Sequence, residues 1–225
     1  MTTLTTRRFA TRTAFDAALE ERIGRALDAG TPSALMLSGG TTPLAAYRAL
    51  AQRSWPRTAG LHVLISDDRY VPSEAPASNY HQSRALLEAL ALPAAAIVRV
   101  RTELPLPQAA ADYEQQLAAL LSSGVRVNLG LLGLGADGHT ASLFATADLA
   151  RARGHLAIAV QRPDGMSGVS VTPDFLARVA EPVFAVAGSD KQAAIRALTA
   201  GDAGSVAWQA VQGCPQVQLW VYEGE

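Results

Sequence analysis

The chain has 225 residues, 49% of them apolar and 17% charged, with a formal net charge of −1. That is ample material for a buried core, which excludes a disordered polar segment, and it lacks the basic excess that would attract nucleic acid or an acidic membrane surface. Cys214 is the single cysteine, so neither an intrachain disulfide nor a multi-thiolate metal site is available. No apolar run approaches the roughly 20 residues needed to cross a bilayer. The first twelve residues, rich in Thr and Arg, carry no apolar stretch of the secretory kind. The expected location is the cytoplasm.

In chain order, Phe15, Ala18, Leu19, Ile23, Ala26 and Leu27 mark one face of a helix begun by a Thr13-x-x-Asp16 cap and ended by Gly30 and Pro32. A short apolar strand, Ala34 to Leu37, leads into Ser38-Gly39-Gly40-Thr41-Thr42-Pro43. Here Thr42 suits an N-cap and Pro43 a first helical position. A helix through Leu44, Tyr47 and Leu50 follows, then a strand at His62 to Ile65 and a polar loop holding Asp67, Asp68 and Arg69. Beyond these come a helix from Asn79 to Leu90, a strand at Ile97 to Val100, and a helix marked by Tyr113, Leu117, Leu120 and Leu121. Val127 to Leu132 reads as a buried strand running into a glycine-rich loop. Four later strands are predicted at Leu156 to Val160, Val169 to Val171, Val183 to Ala187 and Val217 to Tyr222. Helices near Asp174 to Val179 and Asp190 to Leu198 separate them. The alternation predicts a single α/β domain over residues 1–225, Rossmann-like, with a mostly parallel sheet covered by helices on both faces. Ligands of open α/β sheets bind beyond the carboxyl ends of the strands. Ser38, Asp67, Gly133 and Gly188 each follow a predicted strand, so their loops should meet at one edge.

All four of these loops carry candidate chemistry. Ser38, Gly39, Gly40, Thr41 and Thr42 join a strand to a helix N-terminus with free backbone N–H groups and hydroxyls. This fits an anion site for phosphate, and equally an ordinary capped turn. Gly133-Leu134-Gly135-Ala136-Asp137-Gly138-His139 matches the G-x-G-x-x-G spacing of a dinucleotide loop. The region some 20 residues on, however, offers Arg151, Arg153, Gly154 and His155 where such a site needs a carboxylate. A catalytic loop accounts for it better: His139 exchanges a proton near neutral pH and Asp137 orients it. Asp67 and Asp68 are adjacent in an extended segment, so one carboxylate faces the site and the other props the loop. Lys191 is the only lysine, all other basic residues being arginine, and it stands at a helix start where the dipole disfavours a cation. An anionic partner would explain it. His62, His81 and His155 lack companions at metal-ligand spacing, and no metal is expected.

These motifs resemble those of the 6-phosphogluconolactonases, within the superfamily shared with glucosamine-6-phosphate deaminases. The matching stretches are Leu37 to Pro43, Asp67 to Pro72 with Ser78-Asn79-Tyr80, Leu132 to Phe144, and more weakly Gly188 to Lys191. The resemblance implies a lone α/β domain that needs no cofactor and hydrolyses 6-phospho-glucono-1,5-lactone to 6-phosphogluconate. The partner is then a small phosphorylated sugar lactone, with the chain a monomer or small homo-oligomer. Deaminases usually carry a glutamate shortly after the histidine, where this chain has Ala141-Ser142-Leu143-Phe144. The expected catalytic residues are His139, Asp67, Arg69 and Asp137. The expected substrate-binding residues are Ser38, Gly39, Gly40, Thr41, Thr42, Gly133, Lys191 and Arg162. Two departures stand out: Asp68 replaces a usual glutamate, and Gly168 stands where the family has a phosphate-binding arginine, with Arg162 offered as its replacement. The alternatives are a deaminase-like enzyme and a non-catalytic sugar-phosphate sensor.

Overall fold

Strands β1 (Thr3–Arg8), β2 (Ser33–Leu37), β3 (Leu61–Ile65), β5 (Ile97–Val98), β6 (Arg126–Leu132), β9 (Pro182–Ala187) and β10 (Gln216–Tyr222) form one seven-stranded sheet in a computed structural model that describes residues 2–28, 32–56 and 59–224. Its order is β1-β10-β9-β6-β2-β3-β5, and every pairing is parallel. The strands β2 and β3 run outward on one side of the middle and β6, β9 and β10 on the other. The chain direction therefore switches between β2 and β6, which is where such sheets open a crevice.

Helices cover both faces. On one, α1 (Arg12–Leu27), α2 (Leu44–Ala51) and α3 (Asn79–Leu90) bury Phe15, Leu19, Ile23, Tyr47, Leu50 and Leu86 against Leu35, Leu37, Val63 and Leu131. On the other, α4 (Leu106–Ser122) and α7 (Gln192–Ala200) bury Tyr113, Leu117, Ile195 and Leu198 in a core with Met36, Leu64, Leu132 and Phe184. Alternate residues of each strand thus feed opposite cores, as the pleat requires. Three shorter helices, α5 (Thr146–Arg151), α6 (Pro173–Leu176) and α8 (Val206–Val211), pack near the second core. Among the described residues no helix is long and apolar enough to cross a membrane.

A second sheet was not expected. Asp67–Arg69, read as a loop, is strand β4. It pairs antiparallel with β8 (Ser167–Val171), which pairs antiparallel with β7 (Ala157–Gln161). Three polar residues carry no apolar alternation, so only the tertiary ladder makes them a strand. The edge strand β1 escaped notice for a similar reason: its residues are nearly all exposed, and its order comes from the ladder with β10. The short helices α5 and α8 were also missed.

Two helix starts differ from expectation. Helix α1 is capped by Thr11, whose Oγ1 accepts from Ala14 N–H at 3.1 Å, and Asp16 pairs with Arg12 at 2.8 Å instead of serving Thr13. Its predicted stop at Gly30 lies outside the described residues. Helix α2 begins at Leu44, one residue late, with Pro43 at the cap and no side chain bonded to its N-terminus. Thr42 is thereby left out of the helix.

At the start of α3, the Asp68 carboxylate accepts from Ser78 Oγ at 2.9 Å, Asn79 N–H at 2.7 Å and Tyr80 N–H at 3.1 Å. Burial outweighs these bonds and raises its pKa to about 6. Because the folded value exceeds the unfolded one, folding favours the protonated carboxyl. The stability this contributes is complete below about pH 4 and is lost as pH rises through about 6. Urea unfolding should therefore show wild type losing on the order of 2–3 kcal/mol relative to Asp68→Asn between pH 4 and pH 7. A pH-independent difference between the two proteins would contradict this account.

Candidate functional site

The loops after β2, β3, β6 and β9 do converge at the carboxyl edge of the large sheet, and a cleft lies between them. Ser38, Gly39, Gly40, Thr41 and Thr42 form one wall; Asp67, Arg69 and Asn79 form another. Gly133 and His139 come from the loop after β6, Lys191 from the turn before α7, and Arg162 from the end of β7. Of the residues predicted for the site, Asp137 alone does not line the cleft; it sits against His139.

The first wall presents free backbone N–H groups to the cleft. Tyr47, buried in α2, fixes Ser38 by donating its hydroxyl to Ser38 O at 2.9 Å and accepting from Ser38 N–H at 3.2 Å. Gly40 N–H is taken by Gln82 Oε1 at 2.9 Å. The N–H groups of Gly39, Thr41 and Thr42 and both threonine hydroxyls have no acceptor or donor among the described residues. Behind them opens the N-terminus of α2, uncapped by any side chain. Unpaired N–H groups at a helix start attract negative charge.

The second wall is a polar network around Asp67, which is 6% exposed. Its carboxylate accepts from Ser66 Oγ at 2.7 Å and from Ser142 Oγ at 2.6 Å. Ser142 Oγ accepts in turn from Arg162 Nη1 at 2.9 Å. Asn79 donates to Asp67 O at 2.7 Å and accepts from Arg69 Nη1 at 3.0 Å, and the same Nη1 donates to Ala77 O at 2.9 Å. Asp67 therefore faces the cleft while Asp68 points into the start of α3, as neighbours on a strand must.

The loop after β6 is a closed turn. Gly135 N–H donates to His139 O at 2.9 Å, Gly138 N–H to Gly135 O at 3.0 Å, and Thr140 Oγ1 to Gly133 O at 2.9 Å. The N–H of Ala207 in α8 holds Gly138 O at 3.1 Å. The third glycine of the G-x-G-x-x-G pattern thus ends a turn and starts no helix, unlike a dinucleotide loop. Gly135 is small because a Cβ there would lie 2.1 Å from His139 Nδ1 and 2.3 Å from Asp137 Oδ1. His139 Nδ1 meets Asp137 Oδ1 at 2.5 Å, and His139 N–H donates to the same oxygen at 3.2 Å. Burial pushes the Asp137 carboxyl up, but these bonds outweigh it and hold it below its ordinary value. With Nδ1 on Asp137, His139 Nε2 is the nitrogen left for a ligand.

Two cations complete the cleft. Lys191 has no carboxylate or carbonyl partner among the described residues. The Arg162 side chain, 10% exposed, is held by Ser142 and by Asp164, which receives Nε at 3.2 Å and Nη2 at 3.1 Å. It crosses Gly168: a Cβ on that glycine would come within 3.5 Å of Arg162 Cδ and 3.0 Å of Asp68 O. The Arg162 stem, coming from the end of the neighbouring strand, packs beside Gly168. His62 and His155 bond to Gly60 O and Glu114, away from the cleft. Among the described residues no group of three His, Cys, Asp or Glu is placed to hold a metal ion.

Sequence reasoning did not single out Tyr47, Asn79, Ser142 or Phe144 for the site. Tyr47 and Asn79 act on it from helices where they also read as packing and capping residues. Ser142 and Phe144 are a few residues from His139, and that proximity was the available signal. The Phe144 ring lies 4.5 Å from the His139 ring, tilted by 40°, and 5.0 Å from Arg162 Cζ.

Residues 7–220 match the family of glucosamine-6-phosphate isomerases and 6-phosphogluconolactonases. A protein named 6-phosphogluconolactonase from Synechocystis sp. is 35% identical over 215 residues, covering 90% of this chain and 86% of its own. One of the same name from Nostoc sp. is 34% identical over 196 residues, covering 84% and 81%. The crystal structure of 6-phosphogluconolactonase from Thermotoga maritima superposes with a TM-score of 0.82 over 98% of this chain and 99% of its own. At 23% identity that likeness is one of fold. The chain belongs to the glucosamine-6-phosphate isomerase/6-phosphogluconolactonase family.

Proposed function

We propose that this protein hydrolyses 6-phospho-D-glucono-1,5-lactone to 6-phosphogluconate, using His139 as general base and acid. The observation that carries the reading is the His139–Asp137 pair at 2.5 Å, held by a closed turn on the rim of an anion-binding cleft. Asp137 keeps the proton on Nδ1, so neutral Nε2 takes a proton from water as its oxygen attacks C1. The tetrahedral intermediate then expels the ring oxygen: the C1–O bond breaks and His139 returns the proton to that oxygen. Negative charge on the former carbonyl oxygen is relieved by N–H groups of the loop at Gly133 or by the Arg69 guanidinium. Asp67, whose carboxylate is already held by two serine hydroxyls, orients a sugar hydroxyl or the water.

The phosphate is placed between the Ser38–Thr42 wall and the cations Lys191 and Arg162. Free N–H groups at the start of α2 and the unpaired ammonium meet the same anion. Fixing this end orients C1 against His139, which lowers the entropic part of the barrier. The relatives' shared name supports the lactone as substrate. Ala141-Ser142-Leu143-Phe144 after His139 offers no carboxylate of the kind a deaminase uses there, and Ser142 is bonded to Asp67 and Arg162.

His139→Ala should reduce kcat for the phosphorylated lactone by about 10²–10⁴-fold, spontaneous hydrolysis subtracted. Wild-type turnover in that variant would sink the mechanism. Offered glucosamine-6-phosphate in parallel, the protein should release no ammonia; release would select the deaminase reading. Lys191→Ala should raise KM roughly tenfold with kcat nearly held, and an unmoved KM would remove Lys191 from the phosphate site. Gly135→Ala, which drives a methyl into the His139–Asp137 pair, should lower kcat by about 10²-fold without unfolding the chain. A fully active Gly135→Ala would show that the pair's geometry is dispensable.

A further inference from the structure

Phe144 has no polar group and does not line the cleft, yet it packs against two cleft side chains, His139 and Arg162. Its ring centroid is 4.5 Å from that of His139 and 5.0 Å from the Arg162 guanidinium carbon. Its backbone is fixed: Phe144 N–H and Ala145 N–H both donate to Asp148 Oδ2 at 3.0 Å, and Asp148 is itself paired with Arg151 at 2.7 Å. Leu143, one residue earlier, is fully buried in the second core. The ring is thus set in place by the fold independently of any ligand.

That position has an electrostatic consequence. Arg162 is permanently charged, and each time His139 takes a proton a second cation appears near it. An aromatic ring presents negative charge on its faces, so it attracts a cation beside it. We propose that Phe144 is a positioning residue for His139, its ring packing against the imidazole and stabilising the protonated form by contact with the π system. Without the ring the imidazolium loses that favourable contact. The other charged groups near His139 are Asp137 on its own turn and Asp67, Arg69 and Lys191 across the cleft. From α8 it is approached only through the Ala207 N–H on Gly138 O. None of these contacts runs through Phe144, and the ring's one other charged neighbour is Arg162, so a variant that keeps the ring's shape separates its π character from its packing.

The catalytic consequence rests on the hydrolase reading, whereas the titration of His139 does not. The experiment is an NMR pH titration of the His139 ring carbons, assigned by their loss in His139→Gln, for wild type, Phe144→Leu and Phe144→Tyr. It is run beside pH profiles of kcat/KM. In Phe144→Leu the His139 midpoint should fall by about half a pH unit, with the acid limb of kcat/KM moving down equally. Phe144→Tyr, which keeps the ring, should titrate like wild type. A ring-fluorinated phenylalanine installed at position 144 keeps the shape and weakens the π face; it should behave like Phe144→Leu even if the leucine variant folds poorly. An unmoved His139 midpoint in the fluorinated protein, or a tyrosine variant shifted as far as the leucine one, would overturn the inference. A midpoint that moves while the acid limb stays put would uphold it and overturn His139 as the general base.

Discussion

Two consecutive buried carboxylates, Asp67 and Asp68, fix the arrangement around which the cleft is built. A buried carboxylate must be surrounded by donors, and the pleat of β4 sends these two in opposite directions. Asp68 gathers three donors from the start of α3. Asp67 gathers the hydroxyls of Ser66 and Ser142, and Ser142 comes from the far side of the cleft. Satisfying both charges therefore locks β3, β4, α3 and the segment after His139 to one another. The small antiparallel sheet exists largely to hold this junction, with β8 pairing along β4 and lending Ser170 Oγ to Ser142 N–H at 3.1 Å.

On that frame the chemistry is divided between rigid parts. The parallel strands deliver the Ser38–Thr42 wall and the histidine turn to one edge, and each is pinned from behind: Ser38 by Tyr47, Gly138 by the N–H of Ala207. Arg162 links the two halves, bonded to Ser142, stacked near Phe144 and lying across Gly168. A cation in this part of the cleft can thus be supplied from β7 when β8 carries none. The small residue at 168 is favoured chiefly by the Asp68 backbone, which a Cβ there would approach to 3.0 Å, while the Arg162 stem would lie at ordinary contact distance.

Much of this was legible in the residues. The apolar periods located most strands and helices within a residue or two, and the glycine-rich turns at strand ends put Ser38, Asp67, Gly133 and Lys191 near one edge. Elements without an apolar period were not legible: β1 with its exposed Thr and Arg side chains, and β4 with three charged residues. Helix starts slipped by a residue or two because several Thr and Pro residues near each end satisfy the same capping rules, and packing chooses among them.

The sequence by itself determined the α/β alternation, the loops that meet at the cleft and the types of side chain they bring there. These follow from local periodicity and side-chain chemistry, which need no knowledge of distant neighbours. The tertiary structure alone decided that Asp67 and not Asp68 faces the cleft, that Asp67 is held by Ser142, and that Arg162 passes beside Gly168 to reach Ser142. Each of those depends on side chains brought together from separate strands. Burial and hydrogen-bond satisfaction, which fix their partners, are properties of the assembled fold and not of any one segment.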